Sequence, residues 1–371
     1  MRWRLAGDFA NLFGVNPLTP AGMLYGLVMD VRNRMYDAGI LPSYSLGARA
    51  ISIGNLTTGG TGKTPLVALT AAILAESGEK VCVLTRGYGR RNERERVLVS
   101  DGDSVLVDAA KGGDEPVELA RKLLGKGVVV ADADRVGAAK WAKDKFGITA
   151  FVLDDAFQHR RVKRDLDIVC IDATQDLDAM IPAGRLREPL QHLRRADAVV
   201  ITRSDLVASV EDLNVRISDH APAALIFRAE NEISRITPLD EYRSGPKDGD
   251  LVQDWKKLRP DDRGTVRLFA FCGLGNPANF FHLLNGEFEK EGMTEFDLSI
   301  AKAFSDHHSY SQRDIDELEK QAGECGIDAL LTTAKDAGKL RNLKVELPCY
   351  VVEIEPRIDN IDRFRAMITS A

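Results

Sequence analysis

The sequence has few of the features that mark secreted, metal-binding or membrane-spanning proteins. Its five cysteines are scattered without CxxC spacing, which indicates neither a zinc site nor a disulfide framework and fits a reducing cytoplasm. No stretch reaches the roughly 18–20 consecutive apolar residues of a spanning helix. The formal net charge of −6 lacks the basic excess typical of nucleic-acid binders. These absences argue against a disulfide scaffold, an integral spanning protein and a nucleic-acid-binding protein.

The first 40 residues combine arginines with apolar side chains at near-helical spacing. The arginines are Arg2, Arg4, Arg32 and Arg34. The apolar positions are Leu5, Phe9, Leu12, Phe13, Met23, Leu24, Leu27, Val28, Val31 and Met35. This pattern permits an amphipathic helix lying in a membrane interface, and it equally permits a terminal helix packed on its own domain.

The rest of the chain alternates short apolar runs with helical patterns. With 371 residues and 44% hydrophobic composition, it is long enough for two domains. The apolar runs predict buried parallel strands at 49–55, 80–87, 127–134, 148–155, 166–173 and 196–205. Their alternation with helices predicts an α/β fold, a P-loop NTPase-type doubly wound and mostly parallel sheet, with a second, smaller α/β domain. The predicted divisions are residues 1–40, 41–235 (core), 236–263 (linker) and 264–371.

The stretch GNLTTGGTGKTP, residues 54–65, predicts a phosphate-binding loop. It follows a strand and precedes a helix, as a P-loop must, although Thr57 stands where the usual pattern begins with glycine. Lys63 is expected to reach the β and γ phosphates of ATP, and the Thr64 hydroxyl to ligate Mg²⁺. The predicted ATP-binding residues of this loop are Thr58, Gly59, Gly60, Thr61, Gly62, Lys63, Thr64 and Pro65.

The loop also resembles the deviant P-loop of the ParA, MinD and dethiobiotin-synthetase class. Dimerising ATPases of that class carry a signature lysine where this chain has Thr58. The sequence therefore favours kinase or synthetase chemistry over a dimer switch. Asp154 and Asp155 end a hydrophobic strand, where a P-loop enzyme needs a carboxylate to position Mg²⁺. The alternative is an acidic strand-to-loop turn.

Four further polar clusters stand out, each with a structural alternative. TRGYGRR (85–91) follows a strand and is either on the ligand side of the sheet or a solvated turn. GGDEP (112–116) is compatible with a helix N-cap. QHRRVKRD (158–165) is either a solvated loop or a basic segment that attracts phosphate or anionic headgroups. SDHHSY (305–310) precedes a helix, and each of its histidines is a candidate base, a phosphate contact or a surface residue.

Taken in order, the motifs resemble the tetraacyldisaccharide 4'-kinase family of lipid A synthesis. They are ISIGNLTTGGTGKTP, LTRGYGR, GGDEP, LDDAFQHR, IPAGRLREPL, GLGNP, FSDHHSY and TTAKDA. The resemblance runs from about residue 20 to beyond 340. It implies transfer of the γ-phosphoryl group of ATP to the 4'-hydroxyl of a tetraacylated disaccharide 1-phosphate, which forms lipid IVA. It accounts for Thr57, because the family's loop tends to begin with a small hydroxyl residue.

The resemblance also implies roles for residues outside the loop. Asp114 matches the proposed general base, and His307 the histidine proposed to pair with it across a domain cleft. Positions matching those near nucleotide or Mg²⁺ are Asp154, Asp155, Gln158, Arg187 and Glu188, with Glu115 added as a metal candidate. Tyr88, Arg86 and Arg90 are candidate lipid headgroup contacts.

The lipid substrate implied by the resemblance favours a peripheral enzyme at the cytoplasmic face of the inner membrane. ATP and Mg²⁺ are the expected cofactors, and no obligate protein partner is inferred. Ala156 and Ala334 depart from the family pattern, where glycine and glutamate are common. The alternatives are a peripheral membrane ATPase switch and a soluble small-molecule kinase or ligase.

Overall fold

The computed structural model describes residues 18–88, 90, 92–244, 264–290, 292–306 and 308–370. The chain divides into two compact units. Unit 1 comprises Met1–Glu230 and Ile358–Ala371, and unit 2 comprises Asn231–Arg357. Within the described ranges, no helix is both long and apolar enough to cross a bilayer.

The sheet of unit 1 is parallel except at one edge. Its strands are β1 (Arg49–Asn55), β2 (Val81–Thr85), β3 (Val97–Ser100), β4 (Gly127–Ala131), β5 (Ala150–Asp154), β6 (Leu166–Asp172), β7 (Ala198–Thr202) and β8 (Leu225–Pro238), of which β8 belongs to unit 1 as far as Glu230. Their order is β8-β7-β6-β1-β5-β2-β4-β3. Only β3 is antiparallel to its neighbour. The carboxyl end of β1 therefore lies between those of β5 and β6.

Seven α-helices of unit 1 are described, and the last of them comes from the C-terminal part of the chain. The first six are α1 (Thr19–Asp37), α2 (Lys63–Glu76), α3 (Ala109–Gly112), α4 (Asp114–Lys122), α5 (Arg135–Phe146) and α6 (Glu211–His220). Unit 2 contributes α7 (Leu239–Ser244), α8 (Pro277–Lys290), α9 (Gln312–Cys325) and α10 (Ala334–Ala337). The chain then returns to unit 1 with α11 (Ile361–Ser370).

The central strands of unit 1 are covered on both faces. Ile51 of β1 packs in one core with Leu66 of α2 and Phe364 of α11, whereas its neighbour Ala50 packs in another with Ala138 of α5. Because successive side chains of a strand point to opposite faces, α2 and α5 lie on opposite sides of the sheet. This is the doubly wound arrangement that the alternating pattern predicts.

The strands of unit 2 that follow β8 are also parallel. These strands are β9 (Val266–Cys272), β10 (Phe296–Ala303), β11 (Ala329–Thr333) and β12 (Cys349–Ile358). They are ordered β10-β9-β11-β12, with parallel pairing throughout. Helix α9 begins with a capping box in which Ser311 and Asp314 satisfy each other's backbone N–H groups, as the helical pattern after SDHHSY predicts.

The six predicted strands of the core correspond to β1, β2, β4, β5, β6 and β7, and the predicted fold class is confirmed. The domain division differs from the predicted one in two features. Residues 236–244 of the predicted linker contain the end of β8 and helix α7, and both belong to unit 2. The structure groups Ile358–Ala371 with unit 1, because Phe364 and Ile368 pack into its core. Residues 1–17 of the predicted N-terminal region and 245–263 of the predicted linker lie outside the described residues.

Candidate active site

The loop between β1 and α2 is shaped by glycines and by a neighbouring segment. Gly59 has φ of 106° and Gly62 has φ of 73°, conformations in which a side chain is strained, and Gly62 directly precedes the first residue of α2. Backbone N–H groups and the positive end of the helix thus meet at this turn, which suits a phosphate. Thr57 is buried and forms an antiparallel bridge with Leu186. A hydroxyl residue therefore replaces the usual first glycine without a positive φ.

Lys63, Asp155 and Arg187 form a charged group that we call the phosphate centre. Lys63 Nζ lies 3.4 Å from Asp155 Oδ1, and Arg187 donates to both carboxylate oxygens at 3.1 and 2.9 Å. Burial alone would raise the pKa of Asp155, but the two cations outweigh it and hold that pKa below its usual value. Asp155 also adopts a φ of 49°, rare for a residue other than glycine. Three residues predicted from separate motifs are thus brought together.

Asp154 has a different environment from its neighbour. It is 5% exposed and accepts a hydrogen bond of 2.9 Å from the Thr85 hydroxyl at the end of β2. Burial, followed by the negative charge of Asp155, raises the pKa of Asp154. A divalent cation would favour the charged form of this carboxylate.

The donors near the loop fit Mg²⁺. Thr64 follows Lys63 on the first turn of α2, and two carboxylates end the adjacent strand. Among the described residues, no cluster of three or more histidine, cysteine or carboxylate side chains is arranged as a metal cage. Mg²⁺ in phosphate-transfer sites is held by one or two carboxylates together with substrate phosphates, so this sparse donor set is the expected kind.

Gln158 and Glu188 take positions that the motifs alone do not specify. Gln158 donates from Nε2 to the backbone oxygen of Asn55, at 2.8 Å, which fixes its side chain beneath the loop. Glu188 is fully buried and accepts hydrogen bonds of 2.8 Å from Asn33 of α1 and 3.0 Å from Arg195. Its carboxylate therefore has partners other than the predicted nucleotide.

Glu188 lies at the buried centre of a group that we call the helix anchor, formed by Asp30, Asn33, Glu188, His192 and Arg195. His192 lies 2.9 Å from Glu188 through Nδ1 and 3.1 Å from Asp30 through Nε2. Although burial alone would raise it, hydrogen bonds from His192 and Arg195 lower the pKa of Glu188 to about 2. The anchor joins α1 to the 3₁₀ helix at Leu190–Arg195.

The predicted base lies at the start of α4, and the predicted headgroup residues lie in the loop after β2. Asp114 is half-buried and Glu115 exposed in the first turn of α4. A Cβ on Gly113 would lie 3.4 Å from the backbone oxygen of Tyr88, so the start of α4 adjoins the loop after β2. Tyr88 is 78% exposed and Arg86 is also exposed.

Arg90 differs from the exposed headgroup contact predicted for it. It is 4% exposed, and its guanidinium donates to the backbone oxygens of Ala131 and Glu93 at 3.1 and 2.9 Å. A buried guanidinium that is committed to backbone acceptors stabilises the loop after β2. Only Arg86 and Tyr88 of the three predicted residues are available at the surface.

His307 lies outside the described residues. Its neighbour His308 stacks on Phe304 with ring centroids 4.7 Å apart, and it approaches Asp314 at 3.4 Å. Asp336 of the TTAKDA segment is buried and accepts from Thr333 Oγ1 and the Gly273 backbone. These contacts hold the loops of unit 2 in place.

Two arginines near the loop were missed by the motif analysis. Arg135 is 5% exposed at the start of α5 and donates to the backbone oxygen of Asp154, at 3.2 Å. Arg185 lies beside the loop, because its Nη1 is 3.3 Å from where a Cβ on Gly59 would be. Its backbone oxygen accepts from Thr58 N at 2.8 Å. The available signal for Arg185 was its place in IPAGRLREPL, two residues before Arg187.

The fold and site define the class of protein as a P-loop phosphotransferase. The sheet is mostly parallel, a glycine-rich loop leads into a helix, and a lysine lies beside a strand-end carboxylate. The family model for LpxK, the tetraacyldisaccharide-1-P 4'-kinases, matches residues 15–371. The chain belongs to this tetraacyldisaccharide 4'-kinase family, and the predicted family and kinase activity are confirmed.

Individual relatives match over most of their length. The tetraacyldisaccharide 4'-kinase of Chlorobaculum parvum is 40% identical over 300 residues, which cover 80% of this chain and 76% of that protein. The one from Geobacter sulfurreducens is 37% identical over 354 residues, covering 95% and 91%. The crystal structure of the "apo" form of LpxK from Aquifex aeolicus in complex with ATP is similar with a TM-score of 0.72 and 30% identity, covering 95% of this chain and 98% of that one.

Proposed function

We propose that this kinase transfers the γ-phosphoryl group of ATP to the 4'-hydroxyl of a tetraacyldisaccharide 1-phosphate, forming lipid IVA. The observation that carries the proposal is the phosphate centre, in which Lys63 and Arg187 converge on Asp155 at the end of the strand beside the P-loop. Family membership supports the acceptor, because the curated relatives are tetraacyldisaccharide 4'-kinases.

The chemistry of phosphoryl transfer assigns a role to each group at the loop. The backbone amides of residues 58–62 and the Lys63 ammonium hold the β and γ phosphates, and Arg187 stabilises charge on the transferring group. Thr64, Asp154 and Asp155 would hold Mg²⁺, which neutralises phosphate charge when bound. The 4'-oxygen forms a bond to the γ-phosphorus while the bond to the bridging oxygen breaks, and ADP leaves.

The acceptor hydroxyl needs a group to take its proton. Asp114 fits this role, because it is half-buried at the start of α4, which adjoins the loop after β2. His307, which the family resemblance pairs with this base, lies outside the described residues. Exposed Arg86 and Tyr88 in the adjoining loop are suited to contact the anionic disaccharide headgroup.

Helix α1 supports a peripheral position on the cytoplasmic face of the inner membrane. Its Met23, Leu24, Leu27, Val28 and Val31 are 69, 64, 59, 56 and 49% exposed. A row of exposed apolar side chains on a helix that is otherwise fixed to the protein suits insertion into the headgroup region of a bilayer.

The opposite face of α1 fixes the helix to unit 1. Met29 and Asn33 are buried, and Asn33 bonds to Glu188. Arg34 and Arg194 are 76 and 60% exposed at their side chains, and cations of this kind attract anionic lipid. We propose that α1 holds the enzyme where its acylated substrate resides.

Transfer of label from γ-labelled ATP to the disaccharide lipid in mixed micelles tests the function. The wild-type chain should label the lipid, whereas Lys63→Ala should not. ATP hydrolysis without labelled lipid would contradict the kinase and favour an ATPase switch. Activity on a soluble small molecule, with none on the lipid, would instead favour a soluble kinase.

A further inference from the structure

The side chain of Arg185 lies against the P-loop. Its Nη1 is 3.3 Å from where a Cβ on Gly59 would be. Thr58 N donates to the backbone oxygen of Arg185 at 2.8 Å. The next residue, Leu186, is buried and forms the bridge to Thr57. These contacts fix the Arg185 backbone to the P-loop and keep its guanidinium at the phosphate-binding turn.

The guanidinium of Arg185 differs from its neighbours in having no carboxylate partner within the described ranges of the chain. Arg185 is exposed, and it forms no ion pair within those ranges. Two other arginines near the loop are each paired, Arg187 with Asp155 and Arg203 with Asp172. An unpaired cation keeps its full attraction for an anion, and the P-loop brings a phosphate to this point.

The loop itself offers little positive charge to a triphosphate. Lys63 is the only charged residue between 54 and 65, because Thr58 replaces the signature lysine of the dimerising ATPases. Lys63 also shares Asp155 with Arg187, so part of its charge is already compensated. A triphosphate carries several negative charges, and phosphoryl transfer depends on their neutralisation. A further cation from outside the loop is therefore expected.

The position of Arg185 along its segment indicates which phosphate it faces. Leu186 is 4% exposed and packs in the core, whereas Arg185 and Arg187 on either side of it are more exposed. The two arginines therefore both stand on the outer side of the segment. Arg187 belongs to the phosphate centre, where Lys63 reaches the β and γ phosphates. Arg185 approaches the same phosphates from the side of the loop at Gly59.

We propose that Arg185 binds the γ-phosphate of ATP and so stabilises the transferring group. This rests on the proposed function, because the phosphoryl group that Arg185 holds is the one transferred to the lipid. The planar guanidinium can donate two parallel hydrogen bonds to phosphate oxygens. Arginine stays protonated, so Arg185 neither gives nor takes a proton while the γ-phosphorus passes from the bridging oxygen to the 4'-oxygen. Its contribution is to stabilise negative charge on that group.

Displacement of a fluorescent nucleotide by ATP and by ADP, with Mg²⁺ and without lipid, tests this assignment. ADP lacks the γ-phosphate and is the internal reference. Arg185→Ala should weaken ATP binding by about 10- to 100-fold, the effect of a lost charge-assisted hydrogen bond, and ADP binding by less than about threefold. Arg185→Lys keeps the charge without the planar fork, so its ATP affinity should fall by only about fivefold.

Arg363→Ala removes an exposed arginine from α11 and is the matched control. It should bind both nucleotides like the wild-type chain. Thermal unfolding of Arg185→Ala should also be unchanged, because the side chain is exposed. The inference is overturned if Arg185→Ala keeps the wild-type affinity for ATP, or if it loses affinity for ATP and ADP equally. A chain that binds ATP through Arg185 yet transfers no label to lipid would contradict only the proposed function.

Discussion

The phosphate centre and the helix anchor contain consecutive residues but differ in how their charges are satisfied. Arg187 contacts Asp155. The side chain of Arg187 is 27% exposed, and that of Asp155 is 36% exposed. Glu188 is 0% exposed and receives hydrogen bonds from Asn33, His192 and Arg195. The first group remains accessible to a ligand, whereas the second is closed by the protein's own side chains.

The difference shows that a motif does not assign one role to all its members. In extended chain, successive side chains point to opposite sides, so the Arg-Glu pair of REPL serves two regions. Arg187 pairs with Asp155 in the phosphate centre, where we propose that it serves phosphoryl transfer, and Glu188 fixes α1 to the core. Mutations at the two groups should therefore separate catalysis from stability and membrane attachment.

The largest effect is expected from Lys63→Ala in the phosphate centre. Removal of the ammonium should lower kcat/KM for transfer to lipid by about 10³-fold or more, because it stabilises charge on the transferring phosphate. Steady-state label transfer measures this. Lys80→Ala, an exposed lysine before β2, is the control and should keep activity. Near-normal activity of Lys63→Ala would contradict the assignment.

The next largest effect is expected from Asp114→Asn, which tests the proposed general base. It keeps the side-chain shape and removes the proton acceptor, so kcat should fall by about 10²- to 10⁴-fold with little change in KM for ATP. Asp144→Asn, on the exposed surface of α5, controls for charge. Normal kcat for Asp114→Asn would show that another group takes the proton.

The outer face of α1 is tested by combining Leu24→Ser and Leu27→Ser. Each leucine that inserts into lipid contributes about 1.5–3 kcal/mol, so vesicle flotation should weaken by roughly 100-fold or more. Both residues are exposed, so thermal stability should not change. Val215→Ser removes an equally exposed apolar side chain from α6 and should float like the wild-type chain. Unchanged flotation of the double variant would exclude α1 as the attachment surface.

Within the helix anchor, Glu188→Gln should reduce stability. It removes the charge that three neighbouring side chains contact, and lost hydrogen bonds to a charged group cost about 1.5–3 kcal/mol. Denaturant unfolding measures the loss. Glu76→Gln is the matched control, because Glu76 pairs with Arg365 at the surface, where such pairs contribute about 0–1 kcal/mol. Equal losses of stability in Glu188→Gln and Glu76→Gln would contradict the conclusion that the protein's own side chains satisfy the buried charge of the helix anchor.

Acid should diminish the difference in unfolding free energy between the wild-type chain and Glu188→Gln. The folded-state pKa of Glu188 is about 2, below its ordinary value of 4.5, so its stabilisation is fully present above pH 4.5. As pH falls from 4.5 toward 2, the carboxylate is protonated and this stabilisation is lost. Unfolding free energies of both chains across that range should converge. A difference in unfolding free energy that stays constant across this pH range would contradict a folded-state pKa of about 2 for Glu188.

Much of the fold and of the phosphate centre is predictable because the signals are local. The P-loop, Asp155 and the central strands follow from glycine spacing and apolar runs. The burial of Arg90, the anchoring of Glu188 and the return of Phe364 to unit 1 depend on contacts distant in sequence. Short motifs contain no information on such partners, which is why two of the predicted site residues have structural contacts instead.

The most direct test of the central claim is the position of the new phosphate. After reaction of the disaccharide 1-phosphate with ATP, the product is analysed by phosphorus and proton NMR. The proposed reaction should give a second phosphomonoester coupled to the 4' proton of the distal sugar, with the 1-phosphate retained. A phosphate on another hydroxyl, or only inorganic phosphate beside unchanged lipid, would contradict it.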